Sequence, residues 1–82
     1  MPASLRTPEY EFLRGLLVEA RENSKHTQSE ISKRLGRPQS FVAKYEGGER
    51  RIDVIEFIKI CAALEIDPAR VIAATAKRRQ AK

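Results

Sequence analysis

The chain has 82 residues, 41% of them hydrophobic and 33% charged, and carries a formal net charge of +5. That length suffices for one small domain and not for two, and the apolar share argues against a disordered chain. There is no apolar run long enough to cross a bilayer, no signal-peptide pattern at the start, and a single cysteine, Cys61; an intrachain disulfide is therefore excluded and a cytoplasmic setting is expected.

The positive charge is unevenly placed. Lys77, Arg78, Arg79 and Lys82 fall in the last six positions, and without them 12 basic residues face 11 acidic ones. Within residues 33–51, six basic residues (Lys33, Arg34, Arg37, Lys44, Arg50, Arg51) outnumber the two acidic ones, Glu46 and Glu49. Such polarity suits a face that docks on a polyanion. Charge alone supports a solvated basic surface with a solubilising tail equally well.

Residues 1–6 show no periodicity and are expected to form a disordered N-terminal segment. Thr7-Pro8-Glu9 opens a helix with a cap, a proline at the first position and an acid at the positive dipole end. Leu13, Leu16, Leu17 and Ala20 follow at i, i+3, i+4 and i+7, one apolar stripe. The helix is expected to fade across Asn23-Ser24-Lys25, and His26 in that turn reads as a loop residue with no Cys or second His to share a metal.

The next stretch, TQSEISKRLGRPQSFVAKYE over residues 27–46, reads as two helices joined by a tight turn. Thr27 and Glu30 have the spacing of a capping box, Gly36 supplies a left-handed stop, and Pro38 restarts a helix over about residues 38–46. Val42 and Tyr45 form its buried side, leaving Gln39, Ser40, Phe41 and Lys44 outward. Glutamine, serine and lysine at the front of a helix can bond base edges and phosphates.

Gly47-Gly48-Glu49-Arg50-Arg51 reads either as a plain connector or as a loop whose glycine amides and arginines hold a phosphate. Asp53 with Glu56 repeats the capping-box spacing, opening a helix in which Val54, Ile55, Ile58, Cys61 and Ala62 are expected to pack inward. Asp67-Pro68 starts a last helix, to which Val71 and Ile72 bring apolar surface. The basic tail, residues 77–82, either stabilises that helix end through the dipole or forms a disordered arm. Five helices and no strand are expected, an all-α fold in which residues 7–76 form the domain.

The TQSE, LG, RPQS, KYE and GGERR segments together resemble the Cro/C1-type (XRE) helix-turn-helix family of lambda-repressor-like DNA-binding domains. The resemblance spans about residues 10–72 and implies a compact five-helix bundle. It implies that Gln39 and Ser40 open a recognition helix in the major groove, that Lys44 is a further base-side contact, and that Gln28 binds a phosphate. It also implies a structural pair, Arg21 with Glu46. Two positions depart from the family pattern. Pro38 stands where Ser or Thr often caps the recognition helix, so that Arg37 would supply a phosphate contact instead. Ser32 replaces the usual small apolar residue and can bond back to the carbonyl one turn earlier.

On this reading Gln39, Ser40, Phe41 and Lys44 meet base edges, with Phe41 against a thymine methyl, while Gln28, Arg37, Gly47, Gly48, Arg50 and Arg51 grip phosphates. The partner is double-stranded DNA with an inverted-repeat operator, bound by a homodimer through Val71 and Ile72, unless both residues pack inward. The function expected is a sequence-specific transcription regulator acting as a repressor. The alternative is a protein-binding module, an antitoxin or adaptor, built on the same fold. No metal-ligand cluster, nucleophile–base pairing or phosphate-loop pattern suggests an enzyme or calls for a cofactor, and no membrane association is expected.

Overall fold

Short-range capping signals place the helices. In the computed structural model, which describes residues 7–80 with side chains to position 78, Thr7 Oγ1 accepts the Tyr10 amide at 3.2 Å and opens α1, Pro8–Asn23. Both bonds of the Thr27–Glu30 capping box are made, at 2.8 and 3.0 Å, and open α2, Gln28–Leu35. After α3, Gln39–Glu46, the Asp53–Glu56 box opens α4, Val54–Leu64. Asp67 Oδ1 accepts the Ala69 amide at the start of α5, Pro68–Gln80. The described residues contain five helices and no strand, the all-α architecture expected.

The expected disordered segment 1–6 and the last two positions of the expected tail lie outside the described residues. Lys77 to Gln80 continue α5, and the Arg78 guanidinium lies 5.5 Å from the centre of the Phe12 ring.

The core joins all five helices. Leu17 from α1, Ile31 from α2, Val42 and Tyr45 from α3, and Ile60 and Cys61 from α4 are fully enclosed, with Phe41, Phe57, Leu64 and Val71 around them. Burial pushes the Cys61 thiol up to about 11, so it packs as a small apolar group. Leu13, Leu16 and Ala20 complete the α1 stripe at the edge of this core.

Four expectations about packing are corrected. On α4 the inward stripe is Phe57, Ile60, Cys61 and Leu64; Val54, Ile55 and Ile58 are exposed and Ala62 lies on the open side with them. Nearly every residue of this helix is apolar, so periodicity admits several phases, and contact with α2, α1 and α5 decides among them. Val71 belongs to the core, whereas Ile72, one position on, is 52% exposed. Pro38 occupies the cap position rather than the first turn, so α3 begins at Gln39 and has no side-chain cap. Ser32 is buried and reaches forward, its hydroxyl 3.4 Å from the Gln39 carbonyl at the crossing of α2 and α3.

The α2–α3 turn depends on Gly36, whose φ is +68°; its amide bonds the Lys33 carbonyl and the following Arg37 amide bonds Ser32. A Cβ at this position would meet no neighbour within 4 Å, so the constraint is backbone conformation and not space. Gly36→Ala is therefore expected to lower stability by about 1 kcal/mol in urea denaturation while leaving the helical circular-dichroism signal of the folded state unchanged.

Candidate nucleic-acid interface

Helix α3 divides cleanly along its length. Phe41, Val42, Tyr45 and Glu46 are buried, whereas Gln39, Ser40, Ala43, Lys44 and the following Gly47 are exposed. An eight-residue helix has little stability of its own, so this division is held by what packs on it from both sides.

At the C-terminal end the anchor is the Glu46 carboxylate. Arg21 of α1 donates to it through Nε at 2.7 Å and Nη2 at 3.0 Å, and Gln28 of α2 adds its side-chain amide at 2.9 Å. The Arg21 and Glu46 side chains are only 14% and 7% exposed, and the carboxylate beside it raises the Arg21 guanidinium further above its ordinary value. Arg21 also bonds the His26 carbonyl at 2.8 Å, tying in the α1–α2 turn. Arg14, two turns earlier on α1, donates to the main-chain carbonyl of Glu46 and to Glu11. A carboxylate at the negative end of a helix dipole is unfavourable by itself; two arginines from α1 offset it. Arg14 escaped the sequence reading, although its spacing of seven from Arg21 puts both on one side of α1.

At the other end the anchor is Glu56. Arg37, from the turn before α3, and Arg50, from the loop after it, both bond its carboxylate, at 2.9 Å for Arg37 and at 2.8 and 2.9 Å for Arg50. Their guanidinium carbons lie 4.3 and 4.9 Å from the centre of the Phe41 ring. Phe41 is thus covered by cations and packed edge-on against Tyr45, not directed outward. The outward apolar group on α3 is Ala43. Arg50 foremost, then the Asp53 amide and Arg37, hold the Glu56 carboxyl down at about 2.

The other expected contacts divide as follows. Gln39, Ser40 and Lys44 share the exposed face. Gln28 turns its amide nitrogen inward to Glu46. The Gly47 and Gly48 amides bond the Ala43 and Tyr45 carbonyls at 3.0 and 3.2 Å, closing α3. Arg51 lies over the Tyr10 ring at 4.7 Å. In the α1–α2 turn, His26 contacts Ser24 and Arg34 through its two ring nitrogens, and Arg34 reaches on to the Ala63 carbonyl of α4. Among the described residues no three His, Cys, Asp or Glu side chains are grouped to hold a metal ion, and no helix is long and apolar enough to cross a membrane.

Two outcomes follow from these anchors. Glu46→Ala leaves Arg21 buried without its partner and is expected to cost about 3–5 kcal/mol in chemical denaturation. A variant unfolding at the wild-type denaturant concentration would dismiss the anchor. Glu56 binds its proton more weakly folded than unfolded, with a pKa of about 2 against an ordinary 4.5, so the stability it contributes is complete above pH 4.5 and fades as pH falls towards 2. Part of the acid loss of stability should accordingly be absent from Glu56→Gln when both proteins are titrated over that window.

Residues 17–71 match the family model described as helix-turn-helix. The fold is similar to an XRE-family like protein from Pseudomonas syringae pv. tomato str. DC3000, with 43% identity over 92% of each chain and a TM-score of 0.86. It is also similar in fold to the clp gene regulator ClgR from C. glutamicum, at 19% identity over 88% of this chain and 94% of that one, with a TM-score of 0.75. The restriction-modification controller protein C.AhdI from Aeromonas hydrophila aligns over 79% of this chain and 98% of its own at 23% identity, with a TM-score of 0.71. No curated protein matches the chain in sequence. With a helix-turn-helix match over most of its length and an XRE-type relative at 43% identity, this chain belongs to the XRE (Cro/C1-type) helix-turn-helix family of DNA-binding domains.

Proposed function

We propose that this protein is a sequence-specific transcription regulator that reads double-stranded DNA in the major groove with α3 and represses by occluding a promoter. The supporting observation is the division of α3: a mostly polar face, with Gln39, Ser40 and Lys44 around Ala43, is exposed while the opposite face is locked into the core. In this reading the Gln39 amide donates to N7 and accepts from N6 of one adenine, a bidentate contact that discriminates by about 1–3 kcal/mol. Ala43 replaces Phe41 as the group that meets a thymine methyl. Lys44 and the open sides of Arg37 and Arg50 neutralise phosphates, making the affinity salt-dependent.

One domain of this size offers few base contacts, and a homodimer on an inverted repeat doubles them. With Val71 in the core, the exposed Ile72 face of α5 is what remains of the expected dimer contact. The second reading, a protein-binding module, draws support from the exposed Val54, Ile55 and Ile58 on α4, more apolar surface than DNA contact requires.

Selection of bound duplexes from a random pool at near-physiological salt tests this function. Enrichment of an inverted repeat is expected. A single enriched half-site would discard the dimer, and no enrichment from folded protein would turn the assignment to the partner-protein reading. On the enriched sequence, Gln39→Ala should flatten the preference at one base pair per half-site by about tenfold, within the range such contacts carry, with mixed-sequence DNA bound as by wild type. An unchanged ranking of sites would remove Gln39 from base readout.

A further inference from the structure

We propose that Glu56 is a positioning residue for DNA recognition, which holds Arg37 and Arg50 where they meet phosphates only when α3 is seated in the groove. The inference rests on the DNA-binding function proposed above and concerns what separates specific from nonspecific binding.

Each carboxylate oxygen of Glu56 is doubly engaged. Oε1 takes the Asp53 amide at 3.1 Å and Arg50 Nη1 at 2.9 Å; Oε2 takes Arg50 Nη2 at 2.8 Å and Arg37 Nη2 at 2.9 Å. The acid is covered, its side chain 13% exposed, whereas the two arginines are 40% and 38% exposed. Both guanidinium groups also lie on the ring of Phe41, an α3 residue fixed in the hydrophobic core. An arginine on a free stem samples many directions and can follow a phosphate in any docking pose. These two are held from two sides, by a carboxylate and by an aromatic ring, and their positions relative to α3 are therefore set before DNA arrives.

Two consequences follow for binding. The cluster presents a net charge of one rather than two, which lowers attraction to any duplex by about one phosphate contact. The remaining N–H donors are useful only to phosphates that flank a seated α3, so the cost to misaligned complexes exceeds the cost to the aligned one. Glu56 thereby widens the gap between specific and nonspecific affinity without touching a base.

Glu56→Gln tests this. Glutamine at the third helical position retains the capping box with Asp53 and removes the charge that restrains both arginines. Binding is measured to the duplex enriched by selection and to a mixed-sequence duplex of equal length, from 50 to 300 mM salt. The mixed duplex should be bound about five- to tenfold more tightly at 0.1 M salt, with the log–log salt slope steeper by about 0.9. The enriched duplex should gain less, so that the ratio of the two affinities falls. Equal gains on both duplexes would mean that Glu56 only subtracts charge and would overturn the positioning role, as would an unchanged slope. Arg50→Gln approaches the same point from the opposite partner and serves if the first variant does not fold: affinity for the enriched duplex should fall by a larger factor than that for the mixed one, and equal losses overturn the proposal. Failure of the wild-type protein to bind either duplex would instead remove the DNA-binding function and this role with it.

Discussion

The buried carboxylate of Glu46 is the constraint on which the orientation of α3 depends. An ionised side chain that is 7% exposed needs partners for both oxygens, and the three donors it receives come from α1 and α2. Burial of this acid thus links three helices by geometry and not by apolar packing alone. Removing one partner costs far more than the pair contributes over an apolar substitute, so the contact is better understood as fixing an arrangement than as adding stability. Arg14 on the adjoining carbonyl extends the same logic to the main chain, closing the last turn of α3 against α1.

Glu56 provides a second fixed point at the opposite flank. Between the two acids, α3 is held at its entry by Arg37, at its exit by Arg50, and at its C-terminus by Arg21 and Arg14. A helix this short, following a proline that offers no side-chain cap, contributes little order of its own. Its exposed residues are consequently positioned by the rest of the domain, and a change at a buried acid can reach that exposed face without lying on it.

What could be read from sequence was what is decided within four residues. Thr7-Pro8, Thr27 with Glu30, Gly36, Asp53 with Glu56 and Asp67-Pro68 each specify a local hydrogen-bond pattern, and each marks a helix boundary as expected. What could not be read depends on residues distant in the chain. Phe41 follows two outward polar residues, and it is covered because Tyr45 packs against it and Glu56, from α4, draws Arg37 and Arg50 over its ring. Gly47 and Gly48 are a local exception: their amides look open to a phosphate, yet they bond carbonyls four and three residues earlier in α3. On α4 the capping box sets where the helix starts but not which way it faces, because an apolar residue occupies almost every position. The inward stripe there is chosen by the volume that Phe57 and Leu64 fill, which spacing alone does not encode.

Charge carries the same lesson one step further. Counted along the chain, residues 33–51 form a cationic block that invites a polyanion. In three dimensions Arg37 and Arg50 share an acid that lies outside that block, and Arg34 is drawn away to the Ala63 carbonyl and to Glu65, 3.9 Å distant. Lys44 stands on the exposed face of α3 itself. The field a phosphate meets is therefore weaker and more directional than the sum of formal charges. For the function proposed above that is an advantage. Attraction spread over many loose cations raises affinity for every sequence alike, whereas a few cations held beside α3 would, under that proposal, favour the complex in which the helix is correctly seated.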